Sequence, residues 1–560
     1  MTVDIPEYFQ YDGPIRTVAL IGAGVSGVPA TRHLREAGLE VTVFERQSKA
    51  GGIWNWSPEI TKPLSVPTPA PSNGAFFPAL PEAAPGPEPV TKTLDDADHE
   101  HRLRFSPPNP VYWSLSNNVP IPTMAFKDWE YPEGTADNIR HDLISAYVHS
   151  YVKHFGIDEN VQYNTRVEKA VKIPKTGSEG AKWRLTLRRV VPDGDDKVTE
   201  TFWTQDFDAV IIATGHYNAP YIPDFEGSAA WAAAWPQQVL HSNGYRVPEP
   251  FAGKDVLIVG CGTSGIDMAR DLEAHANKVY MVGRKQEDAP EAYTAMRKFQ
   301  RTLLPKNGEL LGEIKRFIPP APGAPIESGE IELADGRIIS GVSLIIFATG
   351  YQYSYPFLPQ LHRDPALGAP TPEEKASLLV TDGASVHNLY RDIFYIPDPT
   401  LAFLGLSVNT SAFSFFEYQA QAVARVLSGR ARLPSAAGLH EFYDALIART
   451  GDGKFKHFLG REGERAYVRH VVEWVNRDAE WSGAPKITGH SPEWIKASDN
   501  ILASIAAKYG TNPEMARWLR QNGTGGTEPE IEPKAEGKGD EGDKVDPKPE
   551  AAQQPVAAAA

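Results

Sequence analysis

The chain has 560 residues and a single cysteine, Cys261. One cysteine cannot form an internal disulfide, which favours a reducing, cytoplasmic setting. It also excludes a redox-active cysteine pair, so the chain is not a reductase that carries electrons through two thiols. Any redox chemistry must therefore pass electrons to an acceptor other than a protein disulfide.

Other features are also missing. No run reaches the roughly 18 apolar residues of a membrane span, and residues 1–7 lack the basic and apolar regions of a secretory signal, so we expect a cytoplasmic protein. Acidic residues outnumber basic ones by 71 to 56, which argues against nucleic acid or an anionic membrane as the main partner. No Ser/His/Asp constellation or metal-ligand spacing is found, so no metal is expected.

Two G-x-G-x-x-G fingerprints are present, 238 residues apart. Each follows an apolar strand and opens a helix-like segment, where glycines allow a tight turn and a close approach of the backbone to a pyrophosphate. One such motif is weak support, and the alternative is two glycine turns that only pack helices, but each copy has its strand, helix and downstream residue. The cofactor-binding candidates of the two loops are Gly22, Gly24, Val25, Ser26, Gly27, Gly260, Gly262, Thr263, Ser264 and Gly265.

The fingerprints differ 23 residues after their first glycine, where the first unit has Glu45 and the second has Gly283 followed by Arg284. A carboxylate at this place hydrogen-bonds a ribose 2′-hydroxyl, whereas its loss beside an arginine favours a 2′-phosphate. The first unit is therefore predicted to bind FAD or NAD through Glu45, and the second to bind NADP(H) through Arg284.

A buried strand ending in Thr-Gly, residues 208–215, recurs at 342–351, and the two copies bracket the second fingerprint. We interpret them as the strand that leaves an FAD domain and the strand that returns to it. The sequence thus predicts an α/β fold with two Rossmann-like dinucleotide-binding domains, the second inserted into the first. The expected boundaries are an FAD-binding domain at 1–218 and 341–434 and an NADPH-binding domain at 219–340.

The remaining segments are read from composition. Ten prolines between Pro58 and Pro89 mark residues 57–109 as an irregular insertion, either an excursion or a lid. Residues 435–522 are predicted to be a helical extension, and 523–560 a disordered tail with nine acidic and four basic residues. In the exit loop of the first unit, Gly52 and Trp54 suit the approach of a flat ligand, although a surface turn with a core tryptophan is the alternative. Val167, in a predicted strand at 161–171, is a further cofactor-binding candidate.

Together with these motifs, several segments resemble the flavin-containing monooxygenase family, class B flavoprotein monooxygenases of the N- or S-oxygenating type. The similarity runs from about Thr17 to about Pro434, and its main carriers are residues 112–120, 241–246 and 399–406. It implies that Asn118 is the catalytic asparagine and that Asn117, Asn118, His241, Ser242 and Tyr245 contact the cofactors. The family's Phe-x-Gly before the histidine is replaced here by Trp235-Pro-Gln237, so the local backbone is expected to differ.

The resemblance implies an FAD- and NADPH-dependent monooxygenase. Such an enzyme uses O2 through a C4a-hydroperoxyflavin to oxygenate a nucleophilic N or S atom of a small molecule, here expected in specialised metabolism. A neutral amide at Asn118 would hydrogen-bond without supplying an acidic proton; the alternative is a simple turn before Pro120.

Two other functions remain open. One is Baeyer–Villiger oxygenation of a ketone, against which Ser242 and Tyr245 argue because the related enzymes usually have Thr and Trp there. The other is a non-catalytic NADPH-sensing or interaction protein, against which the intact motifs argue. The sequence identifies no substrate, and a homo-oligomer is compatible with it.

Overall fold

Four sheets are present in the computed structural model, which describes residues 7–60, 64–82, 85–174, 180–284, 289–321, 323–501 and 504. The strands of the described residues are β1 Thr17–Ile21, β2 Glu40–Phe44, β3 Val90–Asp95, β4 Val161–Gln162, β5 Thr165–Ile173, β6 Lys182–Pro192, β7 Lys197–Phe207, β8 Ala209–Ile212, β9 Val239–His241, β10 Asp255–Val259, β11 Lys278–Val282, β12 Gly308–Leu311, β13 Ile314–Ile318, β14 Glu330–Leu333, β15 Ile338–Ser340, β16 Leu344–Phe347, β17 Leu389–Tyr390, β18 Phe394–Tyr395 and β19 Leu401–Phe403.

Helices pack on the parallel sheets and form the C-terminal part of the described chain. They are α1 Gly27–Glu36, α2 Glu100–Phe105, α3 His141–His154, α4 Ser228–Ala234, α5 Thr263–Asp271, α6 Glu291–Arg301, α7 Pro372–Lys375, α8 Ala412–Leu427, α9 Ala436–Thr450, α10 Gly460–Ser482 and α11 Pro492–Asp499. Within the described ranges, none of the helices combines the length and the apolar character needed to cross a membrane.

The first sheet contains seven strands in the order β17-β18-β19-β8-β1-β2-β4. β1 is central and pairs in parallel with β2 and β8. Its continuous apolar run is typical of a parallel strand buried on both faces, and Val18, Ala19 and Leu20 are indeed fully buried. α1 packs against α8, which is buried along nearly its whole length.

The second sheet has five parallel strands in the order β12-β11-β10-β16-β9. β10, the strand of the second fingerprint, pairs with β11 on one side and β16 on the other. All five strands lie in the chain between β8 and β17 of the first sheet. The fold is therefore α/β with two Rossmann-like units, the second inserted into the first, as predicted.

One strand assignment from the sequence is wrong. The second Thr-Gly strand, β16, does not return to the first sheet but pairs with β10 and β9 in the second. β8 and β16 are thus equivalent, since each lies beside a fingerprint strand and ends at Thr-Gly. An apolar strand has the same residue pattern in either sheet, so the pattern alone could not assign β16 to one of them. As a result, the second unit extends past the predicted boundary at 340/341.

The insertion at 57–109 also differs from its prediction as an irregular segment. β3 joins the edge of an antiparallel sheet, β3-β7-β6-β5, by pairing with β7. α2 follows, and Asp96 accepts hydrogen bonds from His101 N and Arg102 Nε at its start. Pairing with an existing sheet edge supplies the hydrogen bonds that local composition does not predict.

The C-terminal region follows the prediction as far as it is described. α9, α10 and α11 lie in the predicted helical extension at 435–522. Residues 505–522 of that extension and the predicted tail at 523–560 lie outside the described residues.

Candidate functional site

The first glycine loop is shaped by backbone contacts that a side chain would prevent. Gly22 has φ +104°, and a Cβ on it would lie 2.6 Å from the carbonyl oxygen of Ala213. A Cβ on Gly27 would lie 2.0 Å from the Gly22 oxygen, and one on Gly52 would lie 2.8 Å from the Cα of Gly24. The loop, the start of α1 and the Gly51-Gly52 turn are therefore pressed together, which leaves a bare backbone surface suited to a pyrophosphate.

The second loop repeats this construction. A Cβ on Gly260, at φ +121°, would lie 2.3 Å from the oxygen of Ala348, and one on Gly265 would lie 2.2 Å from the Gly260 oxygen. Thr263 and Ser264 form the first turn of α5, where N–H groups have no acceptor within the helix. Both loops thus fit a dinucleotide in the way their sequences predict.

Glu45 and Gly283 occupy equivalent positions in the two units. Gly22 N donates to the oxygen of Phe44, and Gly260 N donates to the oxygen of Val282, each at 2.9 Å, so the next residues are Glu45 and Gly283. Glu45 is buried, and its carboxylate accepts hydrogen bonds from Ala23 N and Gln47 N, both at 2.8 Å. Burial raises the pKa of this carboxyl. The backbone thus fixes Glu45 at the edge of the first loop.

A side chain at the equivalent place in the second unit would require neighbouring side chains to shift. A Cβ on Gly283 would lie 2.9 Å from Cys261 Sγ and 3.2 Å from Arg301 Nη2. Arg284, the next residue, is exposed. A pocket of about 640 Å³ opens beside this turn and is lined by Gly283, Arg301, Leu310, Leu311, Gly312, Glu313, Ala334 and Asp335.

The two adjacent asparagines have different surroundings. Asn117 is buried, and its Nδ2 donates to the carbonyl oxygens of Val119 and Asp137, each at 2.7 Å. Its Oδ1 accepts from Ile139 N at 2.7 Å. The Asn118 side chain is exposed. Asn117 therefore holds the loop through backbone contacts, and Asn118 is presented on a fixed backbone.

His241 is held as a neutral imidazole. Asn243 N donates to its Nδ1 at 3.1 Å, so the ring proton resides on Nε2, which donates to the oxygen of Gly350 at 3.1 Å. Burial lowers the pKa of His241 to about 4. The residue therefore ties β9 to the turn after β16, and it carries no positive charge at neutral pH.

The other predicted site residues differ in their burial and contacts. Ser242 follows β9 and is buried. Tyr245 is buried in the core, where its hydroxyl donates to Asp271 Oδ2 at 2.6 Å. Val167 is buried in β5, and the ring centroid of Trp54 lies 6.3 Å from that of Phe413. Ser26 donates to the oxygen of Ala213 at 3.4 Å, and Val25 packs on the core beside it.

Two tyrosines are missing from the residues that the sequence predicts. Tyr217 and Tyr351 follow the two Thr-Gly turns, and their ring centroids lie 5.2 Å apart at 66°. Tyr217 remains 48% exposed. The sequence contains a signal for them, since each Thr-Gly is followed by a tyrosine within three residues. The contact of the two rings lies where the ends of β8 and β16 meet.

The groups around the two nucleotide loops are mainly backbone amides, neutral side chains and arginines, with the Glu45 carboxylate at the edge of the first loop. In the described part of the chain, no three His, Cys, Asp or Glu side chains converge as a metal site. The arrangement therefore suits holding bound cofactors and orienting their reactive parts more than acid–base catalysis by the protein.

Comparison with known proteins agrees with this reading. A family model described as flavin-binding monooxygenase-like (FMO-like) matches residues 15–63, 106–288 and 326–457. The flavin-containing monooxygenase ustF2 of Aspergillus flavus is 35% identical over 506 residues, covering 88% of this chain and 98% of the relative. The flavin-containing monooxygenase iboF of Amanita muscaria is 34% identical over 499 residues, covering 86% of this chain and 92% of that protein.

Solved structures show the same fold. S-allyl-L-cysteine S-oxygenase from Allium sativum matches with a TM-score of 0.58 and 22% identity, covering 90% of this chain and 98% of the other. Tmm from a Pelagibacter species matches with a TM-score of 0.57 and 19% identity, covering 87% and 89%.

Proposed function

The chain belongs to the flavin-binding monooxygenase-like family, and from this premise we propose that it oxygenates a nucleophilic nitrogen or sulfur atom of a small molecule. It is a flavin-dependent monooxygenase, with FAD and NADPH as cofactors and O2 as the second substrate. When bound, FAD supplies the redox chemistry that accepts electrons from NADPH and activates oxygen. The protein binds and orients these cofactors and shields them from water.

The first loop suits FAD. Its bare backbone around Gly22, Gly24 and Gly27 accommodates a pyrophosphate at the start of α1, and Glu45 provides a carboxylate for a ribose hydroxyl. Gly52, pressed against Gly24, and Trp54 would lie along the same cofactor. Gly22, Gly27 and Gly52 each lack room for a Cβ, which keeps this backbone surface bare.

The second loop suits NADPH. The backbone around Gly260, Gly262 and Gly265 matches the first loop, but Gly283 removes the carboxylate that would repel a 2′-phosphate. Arg284 is exposed and can reach that phosphate by a charge-assisted hydrogen bond. This pair of differences supports NADPH over NADH.

The observation that carries the proposed reaction is the pairing of Asn117 and Asn118. The side-chain amide of Asn117 is hydrogen-bonded to the backbone of residues 119, 137 and 139, which fixes the loop. The neutral amide of Asn118 is therefore exposed on a fixed backbone. An amide donates and accepts hydrogen bonds without releasing a proton. A nitrogen or sulfur nucleophile needs no base from the protein, because its own lone pair reacts.

A substrate screen with isotope labelling tests this proposal. Purified flavin-loaded enzyme would receive NADPH, ¹⁸O2 and a panel of amines, thioethers and ketones, with products analysed by mass spectrometry. We expect one ¹⁸O atom on nitrogen or sulfur, with NADPH consumed in equal amount. Esters or lactones from the ketones alone would instead establish Baeyer–Villiger chemistry, and absence of flavin from the purified protein would contradict the enzyme assignment.

A further inference from the structure

The loop at residues 451–459, between α9 and α10, reaches the second nucleotide unit. The ring of Phe455 lies 5.0 Å from that of Tyr293 on α6, and the ring of Phe458 lies 5.9 Å from the same tyrosine. This loop comes from outside the second sheet and its helices. A C-terminal segment is therefore packed on the helix that borders the second glycine loop.

The backbone of the 451–459 loop is fixed by its own polar contacts. Lys456 Nζ and His387 Nδ1 each lie 2.9 Å from Asp452 Oδ1. Val408 N donates to the oxygen of His457 at 2.8 Å, and His457 Nε2 accepts from Val386 N at 2.9 Å. Lys454 lies between these anchored positions, and its own side chain is exposed.

α6 brings two arginines to the second glycine loop. Arg297 lies over the ring of Tyr293 at 4.6 Å, and its Nη1 would be 3.4 Å from a Cβ on Gly262. Gln300 Oε1 accepts from the same nitrogen at 2.6 Å, which fixes the guanidinium beside the loop. Arg301 Nε is buried and has no hydrogen-bond partner among the described residues.

Lys454 belongs to the same group of charges. The surrounding protein partly desolvates the ammonium of Lys454, and the charges of Arg284 and Arg297 act in the same direction, so the pKa of this solvent-accessible lysine is lowered to about 8. Cations held this close repel one another, and a bound dianion would remove that repulsion. The adjacent glycine loop is shaped for the pyrophosphate of a dinucleotide, so the anion left for these side chains is a second phosphate on the same nucleotide.

We propose that Lys454 and Arg297, together with Arg284, hold the 2′-phosphate of NADPH, so that a residue of the 451–459 loop completes the nucleotide site. This inference rests on the proposed function, since it assumes that the second unit binds NADPH. The site would be closed from the C-terminal side by the aromatic contact of Phe455 and Phe458 with Tyr293. Binding of the phosphate would in turn hold this loop against α6.

Calorimetric titration of the full chain with 2′,5′-ADP and 5′-ADP at pH 7 tests the proposal, because neither probe requires catalysis. Lys454→Met should weaken 2′,5′-ADP binding about tenfold, equivalent to about 1.4 kcal/mol, and leave 5′-ADP binding unchanged. Arg297→Met should act in the same direction, and Lys454→Arg should retain most of the affinity. Lys486→Met is the matched control, since Lys486 pairs with Glu480 at the surface and should alter neither probe.

Each other outcome has a distinct meaning. If Lys454→Met leaves 2′,5′-ADP affinity unchanged, or weakens both probes equally, the proposed phosphate contact is wrong. If the unmodified chain itself binds 2′,5′-ADP no better than 5′-ADP, the assignment of NADPH fails first, and with it this part of the proposed function.

Discussion

At the scale of single residues, Asn118 offers the most direct test of the chemistry. Replacing it with alanine removes the displayed amide but none of the backbone contacts that Asn117 makes. We expect product formed per NADPH to fall at least about tenfold, with released hydrogen peroxide rising to match. The measurement is product, peroxide and NADPH in the same reaction, and unchanged coupling in the Asn118→Ala enzyme would remove this residue from the catalytic role.

Asn117 supplies the contrasting prediction. Its side chain forms three hydrogen bonds of 2.7 Å with the backbone around it. Asn117→Ala leaves these buried groups unpaired, so we expect a loss of about 2–4 kcal/mol in unfolding free energy. Chemical denaturation measures it, with Asn118→Ala as the adjacent control. A variant as stable as the parent would show that water or a rearranged loop replaces the amide.

Arg284 tests the choice of nucleotide. Arg284→Ala should raise the KM for NADPH about tenfold and change that for NADH less than about twofold, because the lost charge contacts only the 2′-phosphate. Arg316→Ala is a matched control, as this exposed arginine of the second unit pairs with Glu332 instead. Steady-state reduction of the flavin with each nucleotide gives both values, and equal losses would refute the assignment.

At the scale of elements, the fingerprint units were the most predictable part of the fold. A strand, a glycine turn and a helix are local in sequence, so the equivalence of Glu45 and Gly283 follows from counting and is confirmed by the hydrogen bonds of Gly22 and Gly260. The sheet membership of β16 and the pairing of β3 depend on partners far away in the chain. The burial of Tyr245 against Asp271 is likewise a tertiary contact, which no nearby sequence signal reveals.

Within α10, Glu464 gives a pH-dependent prediction. Burial raises the pKa of this carboxyl to about 8, while Ser411 N donates to its Oε2 at 3.0 Å. A raised carboxyl pKa means that folding favours the protonated form, so stability falls as pH rises above the ordinary carboxyl pKa and stops falling once pH passes about 8. Glu464→Gln keeps an acceptor and cannot ionise, so its stability should not show this fall with pH.

Between pH 6 and pH 9 the stability of this variant relative to the parent should increase by on the order of 2 kcal/mol. Thermal unfolding at the two pH values measures this difference. Glu462→Gln on the same helix is the control, because Glu462 is partly exposed and pairs with Arg461. If the advantage of Glu464→Gln is the same at both pH values, the glutamate ionises normally in the folded protein.

At the scale of the whole molecule, the two nucleotide units are joined by two connecting segments, here called crossings. The first crossing runs from β8 to β9 and the second from β16 to β17. Part of the insertion lies across both crossings. Thr68 N donates to the oxygen of Ile222 in the first crossing at 3.2 Å. In the second crossing, Gln352 Nε2 donates to the oxygen of Pro69 at 2.8 Å, and Ser354 Oγ donates to that of Pro71 at 2.5 Å. Residues 68–75, here called the strap, therefore connect the crossings instead of forming a free lid.

Loosening the strap should affect both crossings at once. In the double variant Gln352→Ala, Ser354→Ala, the strap loses its side-chain bonds to the second crossing, so its contact with Ile222 should open more often. We expect faster amide hydrogen exchange at residues 68–75 and also near 222, with more peroxide released per NADPH because the cofactors are held less firmly. Gln360→Ala, which removes a comparable bond to the oxygen of Ala170, should leave exchange near 222 unchanged. Unaltered exchange there in the double variant would show that the two crossings are held independently of the strap.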